Sequence, residues 1–223
     1  MSSAPLLKVC GLMDSETGKQ IADLPIDYIG FVLAPSKRRV TPEQVHAAMN
    51  AMAGSPARFV GVFVNPTLEE LDDVLAVAPL HVLQLHGSES PAFIRSVREI
   101  YPGVSVWKAL GVHGDAEISD ASVATQLSDY AGVVDAILLD AYDPTVGGGT
   151  GRTFRWEAIP VYAEWASRHG LQLFAAGGLH EDNVEQLLSE FSVSGVDVSS
   201  GVETDGRKDI NKIRSFIGKV KPL

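Results

Sequence analysis

A regular alternation of short apolar runs with longer amphipathic stretches extends along this 223-residue chain and limits what it can fold into. Short runs rich in β-branched and apolar residues predict strands, and the longer stretches predict helices. Strands that alternate with helices pair in parallel, because a parallel pair needs a crossover connection. The sequence therefore predicts an α/β fold made of βα units, with no linker or low-complexity segment between them.

The strands and the helix starts can be placed along the chain. Eight runs are typical of strands: Leu6–Cys10, Tyr28–Val32, Phe59–Val64, His81–Leu85, Ser105–Ala109, Ala136–Asp140, Gln172–Ala175 and Gly195–Val198. Helix starts are indicated at Thr41-Pro42, Pro66-Thr67, Ser90-Pro91 and in the stretch HEDNVEQLL after Leu179. Eight βα units are enough for a closed barrel or for an open, doubly wound sheet.

Two features of the loops distinguish these folds. The first strand is followed by CGLMDS, which lacks the G-x-G-x-x-G turn of a dinucleotide-binding open sheet. Glycine and small polar residues gather after the sixth, seventh and eighth strands, in VGGGTGRTF, AAGGL and DVSSGVE. Barrels commonly bind phosphate with the loops after strands seven and eight. The sequence thus predicts a (β/α)8 TIM barrel, with residues 1–223 as a single domain.

Composition excludes several classes of function. The net charge of −10 makes nucleic acid an unlikely partner, and the one basic cluster, SKRR, suits a small anionic ligand better. No apolar run approaches the roughly 18 residues of a membrane span. A single cysteine excludes an internal disulfide and a Cys-rich zinc site. With no N-terminal signal segment, we expect a cytoplasmic protein.

The glycines and serines after the last two strands are candidates for binding a phosphate. Gly177 and Gly178 would let backbone amides approach a ligand without interference from Cβ. Ser199, Ser200 and Gly201 would add hydroxyls and further amides. Either motif alone is as readily a simple turn or helix cap. Their occurrence in adjacent loops favours phosphate.

Strand alternation places several chemically active side chains at strand ends. Lys8 and Cys10 share one face of the first strand, and Asp140 shares a face with the apolar residues before it. An Asp that closes an apolar strand needs a role or a compensating hydrogen bond, although it could also cap the following loop. Cys10 on its own is more readily a buried apolar residue than a reactive thiol.

The histidines do not predict a metal site. His81 and His86 lie five residues apart on one strand, so they fall on opposite faces and cannot share a metal ion from there. His86 shares its face with Gln84. The other histidines fall in helices or in a loop, where we expect solvated surface positions.

Eight stretches, which run from Lys8 to about Ile217, resemble one family in residue type, order and strand-end position. They are KVCGL, DYIGFVLAPSKRRVTPEQ, VGVFVN, LQLHG, VWKALGV, ILLDAYDPTVGGGTGRTFRW, AAGGLHEDNV and GVDVSSGVE. The chain resembles the phosphoribosylanthranilate isomerases of tryptophan biosynthesis. The resemblance implies a cofactor-free Amadori rearrangement of N-(5-phosphoribosyl)anthranilate, a small phosphosugar. The sequence leaves both a monomer and a homodimer open.

The resemblance also implies roles for individual residues. Cys10 would be the general base and Asp140 the general acid, with Arg38 facing the anthranilate carboxylate. The remaining implied site residues are Gln84 and His86 as pocket lining, Asp197 near the ribose, and Gly177, Gly178, Ser199, Ser200 and Gly201 around the phosphate. Partial burial would raise the pKa of Asp140, and a nearby cation, such as Lys8, could lower that of Cys10.

Some features depart from the family pattern or leave alternatives open. Met13 replaces a usual Thr or Lys, and the segment before Arg38 is one residue short, so Arg39 could take its role. An extra glycine enters the sixth loop, VGGGTG, which we expect to act as a lid. Alternatives are indoleglycerol phosphate synthase, a pentose-phosphate epimerase, a dual histidine and tryptophan isomerase, or a non-catalytic phosphosugar-binding barrel. A synthase needs catalytic Lys and Glu, and Lys108 has no matching acidic set in the sequence.

Overall fold

The computed structural model describes residues 4–112, 119–141 and 156–221. Eight parallel strands form a closed barrel in the order of the chain, and the last strand pairs with the first. They are β1 (Leu6–Cys10), β2 (Tyr28–Val32), β3 (Arg58–Phe63), β4 (Val82–Leu85), β5 (Ser105–Val112), β6 (Ala136–Ala141), β7 (Gln172–Ala175) and β8 (Gly195–Val198). The predicted (β/α)8 barrel is confirmed, with β5 three residues longer than predicted.

Helices surround the barrel. They are α1 (Ser15–Ile21), α2 (Pro42–Ala51), α3 (Leu68–Val77), α4 (Pro91–Ile100), α5 (Asp120–Leu127), α6 (Ile159–Arg168), α7 (Val184–Glu190) and α8 (Ile210–Val220). Short 3-10 helices occupy Ser128–Tyr130, Trp156–Ala158 and Ser200–Val202. Three predicted starts are confirmed, because Thr41, Thr67 and Ser90 each accept a hydrogen bond from a first-turn amide.

A small hairpin between β8 and α8 was not predicted. Its strands, β9 (Glu203–Thr204) and β10 (Arg207–Lys208), pair antiparallel. The two residues between them, Asp205 and Gly206, both have positive φ, at 53° and 75°. This is the backbone of a type I′ turn, for which Asp-Gly is a favoured sequence. The hairpin lies directly after the loop that contains Ser199.

Two apolar layers hold the barrel together. The larger one lies between the outward faces of the strands and the helices. The smaller one fills the barrel interior with Tyr28, Val60, Val82, Trp107, Ala109, Ala136, Leu138, Phe174 and Ala176. In it, the rings of Trp107 and Phe174 stack at 4.4 Å between centroids. The lower interior is therefore packed with side chains, as is usual for this fold.

The inner layer shows which side chains point into the barrel. Ala136 and Leu138 belong to it, so Asp140 follows on the inward face at the carboxyl end of β6. Trp107 and Ala109 also belong to it, so Lys108 between them points outward. The predicted shared face of Asp140 with the residues before it is confirmed.

Some sequence predictions lie outside the described residues. These are the lid with its extra glycine, in VGGGTGRTF, and the loop position of His113. Within the described residues, no helix is both long and apolar enough to cross a membrane.

Candidate active site

Cys10 ends β1 at the rim of the barrel, where it is buried. Its partner in the register of β2 is Gly30, and a Cβ built on Gly30 would lie 2.8 Å from the Cys10 Sγ. The missing side chain of Gly30 therefore leaves room for the thiol. Burial raises the pKa of Cys10 and the nearby Asp197 adds to this, whereas the charge of Lys8 lowers it.

Lys8 and Asp197 form a buried ion pair below Cys10. They are register partners on β1 and β8, and the Lys8 Nζ lies 2.8 Å from the Asp197 Oδ2. Burial alone would lower the pKa of Lys8, but Asp197 and Cys10 raise it, so Lys8 carries its charge. The predicted effect of Lys8 on Cys10 has the right sign. The expectation of a lowered Cys10 pKa is nevertheless wrong, because the cost of burying a thiolate exceeds that effect.

Asp140 and His86 meet across the rim. The His86 Nε2 lies 3.5 Å from the Asp140 Oδ2, at the outer limit of a hydrogen bond. The Gln84 Nε2 lies 3.4 Å from the His86 Nδ1. Burial, together with the charges of Lys108 and Lys8, lowers the pKa of His86 to about 4. His86 is thus neutral, and a bond from Gln84 to Nδ1 would place its proton on Nε2, towards Asp140.

The loops after β7 and β8 are in direct contact. Gly177 and Gly178 have φ values of 81° and 65°, a backbone conformation that favours glycine. A Cβ on Gly201 would lie only 1.9 Å from the carbonyl oxygen of Leu179, so the two loops approach too closely for any side chain. The structure thus brings the two predicted phosphate motifs together.

Backbone amides line this junction. Within the described part of the chain, the amides of Gly177, Gly178, Ser200 and Gly201 donate no hydrogen bond to the protein. The Ser199 hydroxyl, in contrast, donates to the Cys10 carbonyl oxygen at 3.0 Å. The Ser199 side chain is therefore committed to β1, which differs from the expectation that it faces a phosphate. The amides remain suitable for an anion.

The segment after β2 separates the two candidate arginines. It folds back along β2, with the Val40 amide bonded to the Val32 carbonyl oxygen. Arg38 is buried, whereas Arg39 is exposed. Arg38 reaches the rim despite the shorter segment, since its Cδ lies 2.6 Å from a Cβ built on Gly11, the residue after Cys10. Of the two arginines, the structure brings Arg38 to the site.

Three buried charged residues near the rim were not among the predicted site residues. Glu203 and Lys208, from the β9–β10 hairpin, contact Arg38 and Ser199 respectively. Glu89 pairs with Lys108 at 3.1 Å, on the outward side of β5, so this pair is not the acidic set that a synthase site would need. The Asp-Gly turn of the hairpin was the one sequence signal that could have located Glu203 and Lys208. Met13, the departure from the family pattern, is partly buried against the outer apolar layer.

His81 and His86 lie at opposite ends of β4, one before it and one after it, whereas the sequence predicts them on opposite faces of one strand. The His81 Nδ1 accepts a hydrogen bond from the Phe59 amide just before β4, whereas His86 follows β4 at its other end. In residues 4–112, 119–141 and 156–221, no three His, Cys, Asp or Glu side chains lie close enough together to hold a metal ion.

The closed barrel, with a thiol and a carboxyl group on its inward face at strand ends, defines a (β/α)8-barrel enzyme with its site at the carboxyl ends of the strands. A family model described as N-(5'phosphoribosyl)anthranilate (PRA) isomerase matches residues 7–219. The chain belongs to this family. The predicted resemblance, the isomerase class and the assignment to tryptophan biosynthesis are confirmed at the level of the family.

Individual relatives agree with this assignment. The N-(5'-phosphoribosyl)anthranilate isomerase of Brevibacillus brevis is 48% identical over 96% of this chain and 93% of its own. A solved Thermotoga maritima phosphoribosylanthranilate isomerase, described as monomers of a dimeric enzyme, has a TM-score of 0.78 and 33% identity, and covers 98% of this chain and 100% of its own. Another solved isomerase, in complex with reduced 1-(o-carboxyphenylamino)-1-deoxyribulose 5-phosphate, has a TM-score of 0.77 and 30% identity over the same shares.

Proposed function

We propose that this protein converts N-(5-phosphoribosyl)anthranilate to 1-(2-carboxyphenylamino)-1-deoxyribulose 5-phosphate, with Cys10 as general base and Asp140 as general acid. The observation that carries the proposal is the position of both groups on the inward face at strand ends, beside loops whose amides donate no hydrogen bond within the described residues. Family membership supplies the substrate. The enzyme would work in the cytoplasm, where a reducing environment keeps its single cysteine as a thiol.

The substrate has three polar parts, and each has a candidate partner. The phosphate suits the amides of Gly178, Ser200 and Gly201. The anthranilate carboxylate suits the guanidinium of Arg38, since Arg and carboxylate pair in a bidentate way. The ribose hydroxyls suit Asp197, whose Oδ1 is buried and has no hydrogen-bond partner within the part of the chain that the structure describes. Gln84 Oε1 is buried in the same way and would accept a further hydroxyl.

The first chemical step opens the sugar ring. Protonated Asp140 donates its proton to the ring oxygen, the bond from that oxygen to C1′ breaks, and the lone pair of the amine nitrogen forms a protonated imine at C1′. Asp140 is left as a carboxylate. The Nε2–H of neutral His86 faces this new charge and stabilises it.

The second step moves a proton from carbon. The thiolate of Cys10 removes the proton from C2′, and the electrons of that bond form the C1′–C2′ double bond of an enolamine and neutralise the imine nitrogen. A proton then returns to C1′ as the C2′ hydroxyl loses one, which gives the ketone. The product is an isomer of the substrate, and the steps consume no oxidant, reductant or cofactor. Burial raises the pKa of Cys10, so the thiolate is the minor form of the base at neutral pH. Because the reaction also needs Asp140 in its acid form, we expect a bell-shaped dependence of activity on pH.

The position of Lys108 argues against the synthase alternative. Its side chain points out of the barrel, and its Nζ donates to Glu89, to the Gly87 carbonyl oxygen at 2.7 Å and to the Ala109 carbonyl oxygen at 3.0 Å. A lysine held by these groups on the outward side of β5 does not reach a substrate inside the barrel. A dual isomerase usually pairs two aspartates, whereas β1 ends in Cys10.

Loss of either proposed catalytic group should lower turnover. Cys10→Ser and Asp140→Asn should each reduce kcat by about two orders of magnitude or more, since a positioned acid or base contributes roughly 10²- to 10⁴-fold. The measurement is steady-state isomerase activity with N-(5-phosphoribosyl)anthranilate. Asp23→Asn, at an exposed position after α1, is the matched control and should leave kcat unchanged.

Complementation of a tryptophan auxotroph separates an enzyme from a silent barrel. The wild-type gene should restore growth without tryptophan, and the Cys10→Ser gene should not. A wild-type protein that binds the product but neither turns over the substrate nor restores growth would rule out the proposed activity. Near-full activity in Asp140→Asn would remove the acid role alone.

A further inference from the structure

A buried cluster of three charged side chains lies at the rim, and the mechanism above uses only one of them. Arg38 donates to Glu203 twice, from Nε to Oε1 at 2.7 Å and from Nη2 to Oε2 at 2.9 Å. Lys208 donates to the same Glu203 Oε1 at 2.7 Å and to the Ser199 carbonyl oxygen at 2.9 Å. We call Arg38, Glu203 and Lys208 the rim cluster.

The rim cluster is costly to bury, and it carries an excess of positive charge. The side chains of Arg38, Glu203 and Lys208 are 7%, 6% and 2% exposed. Two cations share one carboxylate, so the cluster has a net charge of +1. Replacement of buried ion pairs by apolar side chains is often neutral or stabilising, so stability alone is a weak reason to have one here. An unbalanced buried cation does suit a site for an anionic ligand.

The two bonds to Glu203 fix the orientation of the Arg38 guanidinium. A guanidinium has five N–H donors and two edges that can bind a carboxylate in a bidentate way. Glu203 occupies the edge formed by Nε and Nη2. The edge formed by Nη1 and the second Nη2 hydrogen makes no hydrogen bond within the described part of the chain. Arg38 can therefore bind a second carboxylate without releasing the first.

The surroundings of Arg38 indicate where this second carboxylate would come from. The Arg38 Cδ and Nε lie over Gly11, directly after Cys10, and the Ser199 hydroxyl lies at the same point. The guanidinium is thus set between the strand that bears the proposed base and the loop proposed to bind phosphate. A ligand whose phosphate lies at this loop and whose reacting carbon lies at Cys10 would have its third polar group, the carboxylate, close to Arg38.

We infer that Glu203 is a positioning residue that holds Arg38 ready for the substrate's aromatic carboxylate, and that Lys208 holds Glu203 in turn. This rests on the proposed function. Glu203 and Lys208 would orient Arg38 before the substrate binds. A guanidinium that is already oriented loses little conformational freedom on binding, so affinity for the carboxylate is higher. Lys208 keeps Glu203 charged and in place. Because the charge of Glu203 offsets that of Arg38, the charge of Lys208 also keeps the rim cluster positive overall.

The test compares two ligands that differ only in this carboxylate. One is reduced 1-(o-carboxyphenylamino)-1-deoxyribulose 5-phosphate, and the other is the same compound with a phenyl ring that lacks the carboxyl group. Calorimetry should show that Glu203→Gln weakens binding of the first ligand about tenfold or more and that of the second less than about twofold. In steady-state kinetics, KM should rise by a similar factor while kcat changes little.

Coupling between the two residues gives a second readout. If Glu203 acts through Arg38, then Arg38→Ala alone should cost as much affinity for the carboxylate ligand as Arg38→Ala with Glu203→Gln. Glu185→Gln is the matched control. It removes the charge of a glutamate that also bonds a lysine, Lys219 at 2.7 Å, but on the exposed surface of α7, and it should change neither ligand.

Each other outcome overturns the inference. Equal weakening of both ligands would make Glu203 a structural residue only, and tighter binding of the carboxylate ligand would mean that Glu203 competes with the substrate. If Glu203→Gln does not fold, Lys208→Met takes its place with the same expected selectivity. A wild-type protein without isomerase activity would refute the proposed function. If the wild type is active and Glu203→Gln binds both ligands as the wild type does, only this inference is refuted.

Discussion

Cys10 lies among the buried charges of the site, which act on its pKa in opposite directions. Burial raises its pKa, and the carboxylate of Asp197 adds to that increase, while Lys8 and Lys208 oppose it. Cys10 is therefore a neutral thiol, and it becomes a thiolate more readily only when a further positive charge lies close to it. In the proposed reaction, the protonated imine of the substrate provides such a charge close to C2′, which is where the base is needed.

Removal of one member of the buried ion pair should shift the Cys10 titration in a predictable direction. Lys8→Met removes the cation that lowers the Cys10 pKa, so this pKa should rise further. Asp197→Asn removes a carboxylate that raises it, so the pKa should fall. The measurement is the ultraviolet absorbance of the thiolate against pH, taken as the difference between each protein and the same protein with Cys10→Ser, because the five tyrosines also absorb when they ionise.

Two controls make this titration interpretable. Lys219→Met removes an exposed lysine on α8 and should leave the titration of Cys10 as it is. Because a broken buried ion pair can cost several kcal/mol, urea unfolding must show that each variant is folded over the pH range used. An unchanged Cys10 pKa in folded Lys8→Met would exclude Lys8 as the cation that acts on the thiol.

At the scale of elements, β2 shapes the space in which the thiol lies. Gly30 stands in register with Cys10, and a methyl group there would come within 2.8 Å of the Cys10 Sγ and 3.2 Å of the Lys8 Cε. The strand backbone itself tolerates alanine, since the φ of Gly30 is not positive. The requirement for glycine at this position is thus set by the side chain and Cα of Cys10, at 2.8 and 3.2 Å, and not by the φ of Gly30 itself.

Gly30→Ala should therefore reduce activity while the barrel stays intact. The added methyl group forces the Cys10 side chain to move, and a small misplacement of a catalytic group costs about ten- to a hundredfold in kcat. The matched control is Gly18→Ala on α1, where a Cβ would meet Met52 at an ordinary 3.4 Å. Circular dichroism checks that the variant is folded. Full activity in folded Gly30→Ala would show that Cys10 does not need the space that Gly30 leaves.

The elements differ in how far they could be predicted from the sequence. Strands of four or more residues and helices with Ser or Thr caps have local patterns, so β1, β2, β7 and β8 match their predicted bounds. The two-residue strands of the hairpin are too short to show any period, although their Asp-Gly turn does have a local pattern. The sequence pattern therefore leaves Glu203 in the loop stretch DVSSGVE and does not indicate its ion pairs.

At the scale of the whole molecule, closure of the barrel makes contacts that no local pattern predicts. Strand alternation could bring Cys10, Asp140 and His86 to one rim, because parity and strand ends follow from the sequence. The pairs Lys8–Asp197 and Arg38–Glu203 join residues 189 and 165 positions apart. Neither pairing follows from strand parity alone, and the net pKa of Cys10 depends on burial that exists only in the closed barrel.

The buried His86 links the stability of the whole barrel to pH. Its pKa is about 4 in the folded protein, against 6.5 for the ordinary side chain in an unfolded chain. Above pH 6.5 it is neutral in both states and contributes no pH dependence. Between pH 6.5 and 4 the unfolded chain binds the proton more strongly, so the free energy of unfolding falls as the pH falls. Glu203, with a pKa of about 2 in place of 4.5, acts only at lower pH.

The window between pH 6.5 and 4.5 therefore isolates His86 from Glu203. The wild-type protein should lose about 2 kcal/mol more of its free energy of unfolding across this window than His86→Gln, which has no proton to bind. Urea unfolding at a series of pH values measures the difference, and any contribution of His81 cancels because both proteins have it. His46→Gln, at an exposed position on α2, is the matched control and should follow the wild type. Parallel pH curves for wild type and His86→Gln would mean that folded His86 binds protons as readily as an unfolded chain does, and its neutral role beside Asp140 would then be wrong.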